Sequence, residues 1–340
     1  MPCKQTVRNG MLAVITTVLV AVGLRATYSV TMPLAAAVLL IAAIWPVKMV
    51  LDRVMPPRMS LLATALVLLV ILAGFVTAVY FSAAQIVRAF AQNWEQLETG
   101  YQSITQWADK WGITLGGQQG YDRLIGFGQE LLSNAYTVLI YLGFVAILVV
   151  LGLPEVKAMA EKMEREFDAD TARNITDVIA EIAAKVRLYL GITTLTSLLT
   201  GVACGVWTAM LGLDLALVWG VLNFLLNYVP VVGNLVGIIP PGLYALMQFQ
   251  SWTMPAAVFA GLLIIQVTIS NFVYPMLQGR GLSLSPVAIL LAVAFWGWVW
   301  GIAGALIAVP LTVVLVVICE QFTSLRWVTV LMSVPKSEAR

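Results

Sequence analysis

The sequence contains no histidine, only three cysteines and few charged residues, which make up 11% of its 340 positions. Histidine is the commonest general base and metal ligand, so its absence removes the most frequent catalytic and metal-binding group. Cys3, Cys204 and Cys319 are too scattered to assemble a Cys/His metal site. We therefore expect no metal site and no cofactor.

The motifs of several enzyme and binding classes are missing as well. The sequence has no GxSxG or GxGD segment, and it has no GxxxxGKS or GxxxxGKT loop for nucleotide phosphates. Its net charge of +2 includes no isolated basic stripe, which argues against nucleic acid as a partner. We expect a protein that is not an enzyme and is not driven directly by ATP.

What the chain does contain is a large apolar fraction, 61% of its residues. The window 189–319 includes only Asp214 and Arg280 as charged residues, whereas the segments 85–133 and 153–188 hold most of the others. This pattern predicts an all-α integral membrane protein with these two segments outside the lipid bilayer.

Apolar stretches near the length needed to cross a bilayer, about 20 residues, predict six full spans. They lie at 11–24, 30–47, 60–84, 134–152, 189–211 and 254–275. The first follows Lys4 and Arg8 and ends near a possible cleavage site, so a signal peptide is the alternative. Arg25 and the span that follows it favour a retained first helix.

Two longer apolar regions, 213–248 and 284–319, are interrupted near their middle, and we refer to them as the first and the second hairpin. Pro230 and Gly233 interrupt the first, and Gly297, Gly301 and Gly304 interrupt the second. The arm 286–298 is only about 20 Å long and cannot cross alone. We predict hairpins that each enter and leave on one side, with their breaks near the bilayer midplane.

The two hairpins resemble each other at a shift of 71 positions, with one full span between them, which predicts an inverted pair. At this shift Asp214 coincides with Ser285, and we expect both to be helix N-caps. With the predicted spans, most Lys and Arg residues lie on the same side of the membrane as the N-terminus. Because Lys and Arg are enriched in cytoplasmic connections, this predicts that both termini are cytoplasmic.

The segments outside the bilayer have their own helical patterns. From Val87 to Trp111 apolar residues recur with coiled-coil spacing. A stripe of this kind is covered by self-association, by packing within the chain or by the lipid headgroup layer. The segment 153–188 predicts two amphipathic cytoplasmic helices. The resulting domains are 1–84, 85–133, 134–152, 153–188, a transport core 189–319 and a cytoplasmic tail 320–340.

Three segments of the sequence resemble the autoinducer-2 exporter family, the PerM-like permeases of bacteria. They are NYVPVVG at 227–233, PMLQGRGLSLSP at 275–286 and GIAGALIAVPL at 301–311. The resemblance implies a multi-pass permease of the bacterial inner membrane that is a homo-oligomer. Members of this family are linked to export of autoinducer-2 and, in some cases, to exchange of sodium or lithium for protons.

The polar residues of the apolar core are the candidate site. Asn223 and Asn227 lie four positions apart and so share a helix face. With Asn234 they either line a polar pocket or form hydrogen bonds between helices. Arg280 is either an orientation anchor or a contact for an anionic solute, and Asp214 is the one carboxylate available for ion coupling. Hydroxyl residues at 193, 194, 196, 197 and 200 are assigned to helix packing. The predicted solute contacts are Asn223, Asn227, Pro230, Gly233, Asn234, Gln266, Asn271, Arg280, Gly301 and Gly304.

The function favoured by these features is secondary transport of a small polar solute, with alternating access by movement of the hairpins against the N-terminal spans. A sodium/proton antiporter is one alternative, in which the solute is a monovalent cation. An oligomeric channel with its pore on the symmetry axis is another, suggested by the coiled-coil stripe.

Overall fold

The computed structural model describes residues 15–92, 135–230, 232–249, 251–278 and 284–332. Regular structure in these ranges is helical, and six of the helices are long and apolar enough to cross a membrane. The predicted class, an all-α integral membrane protein, is confirmed. The helices are α1 (Ile15–Ala26), α2 (Tyr28–Asp52), α3 (Pro57–Gln92), α4 (Ala135–Glu166), α5 (Ala169–Met210), α6 (Ala216–Leu226), α7 (Val232–Val236), α8 (Ile239–Gln248), α9 (Thr253–Thr268), a π-helix (Ile269–Val273), α10 (Tyr274–Gln278), α11 (Pro286–Gln321), a 3₁₀ turn (Thr323–Leu325) and α12 (Arg326–Met332).

Five of the six predicted spans coincide with long helices, namely α2, α3, α4, α5 and the continuous run Thr253–Gln278. The first predicted span lies only partly within the described residues, where it forms the short helix α1. The chain bends between α1 and α2, because the Thr31 hydroxyl donates to the Leu24 carbonyl oxygen, seven residues back, across 3.1 Å. A straight helix rises about 10 Å over seven residues and would separate these atoms.

The charged segment 153–188 is helical, as predicted, and its two helices are continuous with membrane spans. α4 runs from the fourth span to Glu166, and α5 begins at Ala169 and continues into the fifth span. Between them the Asp168 carboxylate accepts the backbone N–H of Thr171 at 3.0 Å, which lowers the pKa of Asp168. The segment predicted to be external, 85–133, is described only to residue 92, where α3 ends, so its location and its coiled-coil stripe stay predictions.

The chain divides into two compact units that join segments distant in sequence. Unit 1 comprises Met1–Ala65, Phe144–Arg187 and Leu282–Arg340, and unit 2 comprises Leu66–Gly143 and Leu188–Gly281. Unit 2 contains the first hairpin and unit 1 contains the second. The sequential domains expected from the sequence remain a prediction.

Close helix packing in unit 2 depends on glycine. A Cβ on Gly220 of α6 would lie 2.8 Å from the carbonyl oxygen of Gly201 on α5 and 3.2 Å from the Cα of Gly205. Lipid tails are as apolar as a leucine side chain, so helices in a bilayer associate largely through close packing of this kind. Beside this contact the fully buried Trp219 lies against Tyr244, with ring centroids 5.6 Å apart.

The first hairpin folds back on itself at the predicted break. At its open end Gln248 bridges both arms, since its Oε1 accepts the Asp214 N–H at 2.8 Å and its Nε2 donates to the Gly212 carbonyl oxygen at 2.7 Å. The interruption lies between α6 and α8 and includes Pro230. A Cβ on Gly233 would overlap the carbonyl oxygen of Leu226, so only glycine permits the chain to return this closely.

The expectation that Asp214 is the N-cap of the first hairpin is wrong. The N-cap of α6 is Leu215, which has a left-handed backbone with φ 61°, and no side chain caps the helix there. Gln248 instead binds the main chain on both sides of Asp214. Ser285, the matching position in the second hairpin, is the predicted N-cap, and its hydroxyl accepts the Ala288 N–H at 3.2 Å.

The second hairpin also reverses direction, although both arms are helical. Gly301 has φ 65° and ψ −146°, a conformation that only glycine adopts easily, and Trp300 beside it is also non-helical. The Trp296 Nε1 donates to the Thr312 hydroxyl at 3.3 Å, sixteen residues away. In a straight helix that separation is about 24 Å, so the chain turns at Trp300 and Gly301.

The turn of the second hairpin lies beside the beginning of α2. Trp300 Nε1 donates to the Leu24 carbonyl oxygen at 3.2 Å, and the Arg25 guanidinium lies 4.6 Å from the centre of the Trp298 ring. At the other end of this hairpin, the Glu320 Oε2 lies 3.9 Å from the Lys185 Nζ. Because α2 is itself a full-length span, the break is at one end of the membrane layer, and the expectation of a midplane break does not hold for this hairpin.

The turn of the second hairpin lies at one end of the layer because the second arm of this hairpin is long. The run 302–321 is about 30 Å long as a helix, which is enough to cross the hydrocarbon layer. The arms of the first hairpin have 11 and 10 residues, about 16 and 15 Å, and reach half that depth.

Candidate functional site

Two buried amides in unit 2 bind each other directly. Asn223 on α6 is 0% exposed and Gln266 on α9 is 3% exposed. Gln266 Nε2 donates to Asn223 Oδ1 at 2.8 Å. Asn223 Nδ2 donates to the carbonyl oxygens of Trp219 at 2.9 Å and of Gly237 at 3.2 Å. Asn223 therefore connects both arms of the first hairpin to the neighbouring span.

These contacts fix which end of each amide faces its neighbour. A backbone carbonyl can only accept a hydrogen bond, so the nitrogen of Asn223 must face Trp219 and Gly237. The oxygen of Asn223 then faces Gln266, which must donate through its own nitrogen. The Gln266 Oε1 is consequently directed away from this pair, and it is buried without a hydrogen-bond partner.

A second unpaired oxygen belongs to the same group of residues. Asn234 Nδ2 donates to the Ser270 hydroxyl at 2.6 Å, and the Asn234 Oδ1 is buried without a partner. Ser270 lies four positions after Gln266 and so on the same helix face. It also lies in the π-helix, a form often found at functional sites. We refer to Asn223, Asn234, Gln266 and Ser270 as the amide cluster.

The amide cluster lies halfway along a membrane span. α5 and the run from α9 to α10 are antiparallel, because Trp207 Nε1 donates to the Ala257 carbonyl oxygen at 3.3 Å and Tyr274 lies against Thr193. Gln266 is nine residues from Ala257 and eight from Tyr274, about 13 and 12 Å along the helix. The break of the first hairpin meets the span at this level, and its position at the bilayer midplane stays a prediction.

Two hydroxyls of α5 that were assigned to packing belong to the break of the first hairpin. Asn227 Nδ2 donates to the Ser197 hydroxyl at 3.0 Å, and the Tyr228 hydroxyl donates to Thr194 at 3.0 Å. The signal in the sequence was their spacing of three, which places both on one helix face. Thr196 and Thr200, which were also assigned to packing, donate to carbonyls of their own helix.

The backbone at this break is largely hydrogen-bonded already. Each of its described donors outside the short helix α7 is used by a main-chain carbonyl, which leaves side-chain oxygens as the available polar groups. These donors are the N–H groups of Asn227, Tyr228, Val229, Gly237 and Ile238, and the first two N–H groups of α7, those of Val232 and Gly233, also donate to carbonyls. Aromatic rings flank the break, with Tyr228 edge-on to Phe224 at 5.6 Å and to Phe75 at 6.0 Å.

The remaining predicted site residues lie elsewhere or play another part. Asn271 is exposed and donates to the Val267 carbonyl oxygen of its own helix at 3.0 Å, so it is not part of the amide cluster. Gly301 and Gly304 belong to unit 1, where a Cβ on Gly304 would overlap the Trp296 carbonyl oxygen. Asp214 is exposed at the open end of the first hairpin. Arg280 lies outside the described residues.

The buried polar groups within the described ranges are uncharged. They are Ser60, Thr64, Ser82, Thr193, Thr196, Ser197, Thr200, Thr208, Asn223, Gln266, Thr312 and Thr329. No group of three or more His, Cys, Asp or Glu residues suited to a metal ion occurs in the part of the chain that the structure describes. The cluster can therefore exchange hydrogen bonds with a solute, but it offers no buried charge.

Comparison with known proteins gives one family. The model of the AI-2E family transporter matches residues 12–324. A candidate transport protein of Borreliella burgdorferi is 32% identical over 59% of this chain and 57% of its own length. The AI-2 transport protein TqsA of Escherichia coli K12 is 32% identical over 59% of this chain and 57% of its own.

A sodium-lithium/proton antiporter of Halobacillus andaensis is more distant, 25% identical over 63% of this chain and 59% of its own length. The chain thus spans less than two thirds of the length of the relatives it matches. The family model nevertheless covers nearly the whole sequence, including both hairpins and the amide cluster. With its long apolar helices, the chain is a multi-pass membrane protein that belongs to the AI-2E transporter family.

Proposed function

We propose that the protein is a secondary transporter that binds a small polar solute at the amide cluster. The observation that supports this most directly is the Asn223–Gln266 pair, fully buried at the middle of an apolar span with the Gln266 Oε1 unpaired. Polar groups at this depth are costly, and a buried acceptor without a partner costs about 1–3 kcal/mol. A solute that supplies the missing hydrogen would recover that free energy.

The first hairpin is the element whose movement releases the solute in this proposal. Its arms reach only halfway across the layer, and its tip contributes Asn223 and Asn234 to the cluster. The Gln248 bridge holds its open end, whereas its tip is held by the side-chain bonds of Asn223, Asn227 and Asn234, which a solute can replace. Such broken helices near the midplane are typical of secondary transporters.

For the substrate we propose autoinducer-2, which the name of the Escherichia coli relative states as its cargo. Exchange of sodium or lithium for protons is the alternative, supported by the name of the Halobacillus andaensis relative. An antiporter of this type needs a titrating group in the membrane, and Asp214, its candidate here, lies exposed at the end of the hairpin. Full pH-dependent exchange by an Asp214→Asn variant would remove that coupling mechanism.

The test is flux into proteoliposomes that contain only this protein. One assay follows uptake of autoinducer-2, and a second follows proton movement driven by a sodium gradient. Gln266→Leu should lower autoinducer-2 uptake at least tenfold, whereas Asn271→Leu should retain it, because Asn271 carries the same kind of amide on the same span outside the cluster. Equal uptake by both variants would contradict the proposed site.

We also propose a location in the bacterial inner membrane, with both termini cytoplasmic, and a homo-oligomeric state. Orientation follows from the distribution of Lys and Arg, and oligomerisation from the coiled-coil stripe 87–111. Cysteine cross-linking along the stripe in native membranes tests the oligomer. Single-channel currents from the purified protein would favour the oligomeric channel over a transporter.

A further inference from the structure

The geometry of the amide cluster points to the chemical class of its ligand, and this inference rests on the proposed function. We propose that Gln266 Oε1 is a fixed hydrogen-bond acceptor, held in place by Asn223, and that the solute reaches it with an uncharged donor such as a hydroxyl group. Asn223 is then a positioning residue, and Gln266 is the residue that sets specificity.

A free amide side chain can rotate and present either its oxygen or its nitrogen. Gln266 cannot do so without losing its bond, because Asn223 Oδ1 demands a donor and Asn223 Nδ2 is engaged by two carbonyls. The backbone carbonyls thus orient the Asn223 amide, which orients the Gln266 amide so that its unpaired end is the oxygen. A ligand group that only accepts hydrogen bonds, such as a carboxylate or phosphate, is disfavoured there.

A second amide, that of Asn234 on α7, borders the same site. Its partner, the Ser270 hydroxyl, can either donate or accept, so the free end of the Asn234 amide can present an oxygen or a nitrogen to the solute. The described N–H groups at the break outside α7 already donate to carbonyls. Gln266 Oε1 is thus the acceptor whose polarity the contacts fix, and Asn234 can adjust to a second polar group of the solute.

The ligand is uncharged because nothing in the cluster would balance a charge. The buried polar side chains of the described ranges carry none, and Asp214 lies at the far end of the hairpin. A cation stripped of water beside two amide oxygens would lack a countercharge, and the desolvation of an isolated ion is severe. A neutral hydroxyl loses far less hydration.

The variant Gln266→Glu tests the polarity of the amide. A protonated carboxyl can donate to Asn223 Oδ1 and keep its carbonyl oxygen free, as the amide does, whereas a carboxylate would face Asn223 Oδ1 with repulsion. The control is Gln321→Glu, the same substitution at an exposed position at the end of α11, where an ionised group is readily tolerated.

We expect the melting temperature of Gln266→Glu to match the wild type at pH 5 and to fall relative to it by at least about 3 °C at pH 8.5. Sites that hold their proton in the folded state contribute stability at low pH and lose it as pH rises. Gln321→Glu should differ from the wild type by a constant amount. A flat difference for Gln266→Glu, or one that shrinks with rising pH, would overturn the assignment.

Other titratable groups around position 266 do not mask the pH dependence of the melting temperature of Gln266→Glu. The described elements packed here carry Cys204 and the four tyrosines Tyr189, Tyr228, Tyr244 and Tyr274. Thiol and phenol groups ordinarily titrate near 8.5 and 10. Asp214 is present in every variant, and the sequence has no histidine. Subtracting the wild-type curve removes what these groups contribute.

Sodium ions test whether the ligand is uncharged or a cation. At constant chloride concentration and pH 8.5, replacing choline with sodium should leave the wild-type melting temperature within about 1 °C and should raise that of Gln266→Glu. A sodium-specific rise in the wild type would overturn the uncharged class. No rise in Gln266→Glu would show that position 266 does not face the ligand.

The proposed function and the fixed polarity of Gln266 are contradicted by different results. If Gln266→Leu keeps full flux, the proposed function is wrong at this site. If Gln266→Leu loses flux while Gln266→Glu shows no dependence on pH, the cluster still binds solute, and only the fixed polarity of Gln266 is wrong.

Discussion

The side-chain nitrogen of Gln266 donates to the side-chain oxygen of Asn223 across 2.8 Å, between two helices whose residues are 43 positions apart. This bond lies at the level where the first hairpin turns back. It ties the tip of the hairpin to the middle of a membrane span, so both the packing of unit 2 and its proposed activity depend on it.

The first prediction concerns this pair. Asn223→Leu leaves Gln266 Nε2 and the Gly237 carbonyl without partners and should lower the free energy of unfolding by about 1–3 kcal/mol. Replacing both residues with leucine should cost less than the sum of the single changes, because no unpaired amide then remains. Reversible unfolding in detergent, analysed as a double-mutant cycle, measures the coupling. Strict additivity would show that the two amides do not interact.

The second prediction concerns glycine contacts in unit 2. Gly220→Ala introduces a methyl group 2.8 Å from the Gly201 carbonyl oxygen, and the backbone on both sides has no room to move. We expect destabilisation of about 1–3 kcal/mol. Gly191→Ala is the control, since a Cβ there meets no atom within 4 Å and alanine favours the helix. Equal melting temperatures for the two variants would refute the close packing of α5 and α6.

The third prediction concerns the turn of the second hairpin. In Gly301→Ala the added methyl group meets no neighbouring atom. Alanine must nevertheless adopt φ 65° with ψ −146°, a conformation that lowers the free energy of unfolding by about 1–3 kcal/mol for residues other than glycine. The loss should therefore come from the backbone alone, and Gly301→Asn should not relieve it, because asparagine tolerates a different left-handed region. A neutral effect of Gly301→Ala on the melting temperature would mean that the turn lies elsewhere.

The fourth prediction concerns the depth of each hairpin. In a background without cysteine, Trp298→Cys and Arg25→Cys should react with a membrane-impermeant thiol reagent from the same side of the membrane. Glu320→Cys should react from the opposite side, since the second hairpin crosses the layer. Pro230→Cys should be shielded from the reagent on both sides unless the transport path is open. Labelling of Trp298→Cys and Glu320→Cys from one side would contradict a crossing hairpin.

Much of the fold follows from the sequence because it depends on local composition. Lengths of apolar stretches predicted five of the spans, and Pro230 and Gly301 marked the two reversals correctly. The depth of the second hairpin did not follow, because glycine spacing shows where a chain can turn but not beside which part of a neighbouring helix it will lie.

The candidate site was predictable only in part for a similar reason. Asn223, Asn234 and Gln266 were notable as polar residues in an apolar core. Their pairing depends on packing between distant segments, which the pattern of one chain does not reveal. Asn271 was selected with Gln266 because it is polar and nearby, yet at five positions away it lies on another face of the span. Ser197 was left out because small hydroxyl residues in apolar helices were assigned to helix packing.

The central claim, that the solute binds at the amide cluster, is tested most directly by ligand protection of a cysteine placed there. Ser270→Cys in a cysteine-free protein should react with a small hydrophilic thiol reagent, and saturating amounts of a transported solute should slow that reaction at least fivefold. The neighbouring Asn271→Cys should show no protection. Equal reaction rates at position 270 with and without a solute that the protein transports would contradict the account.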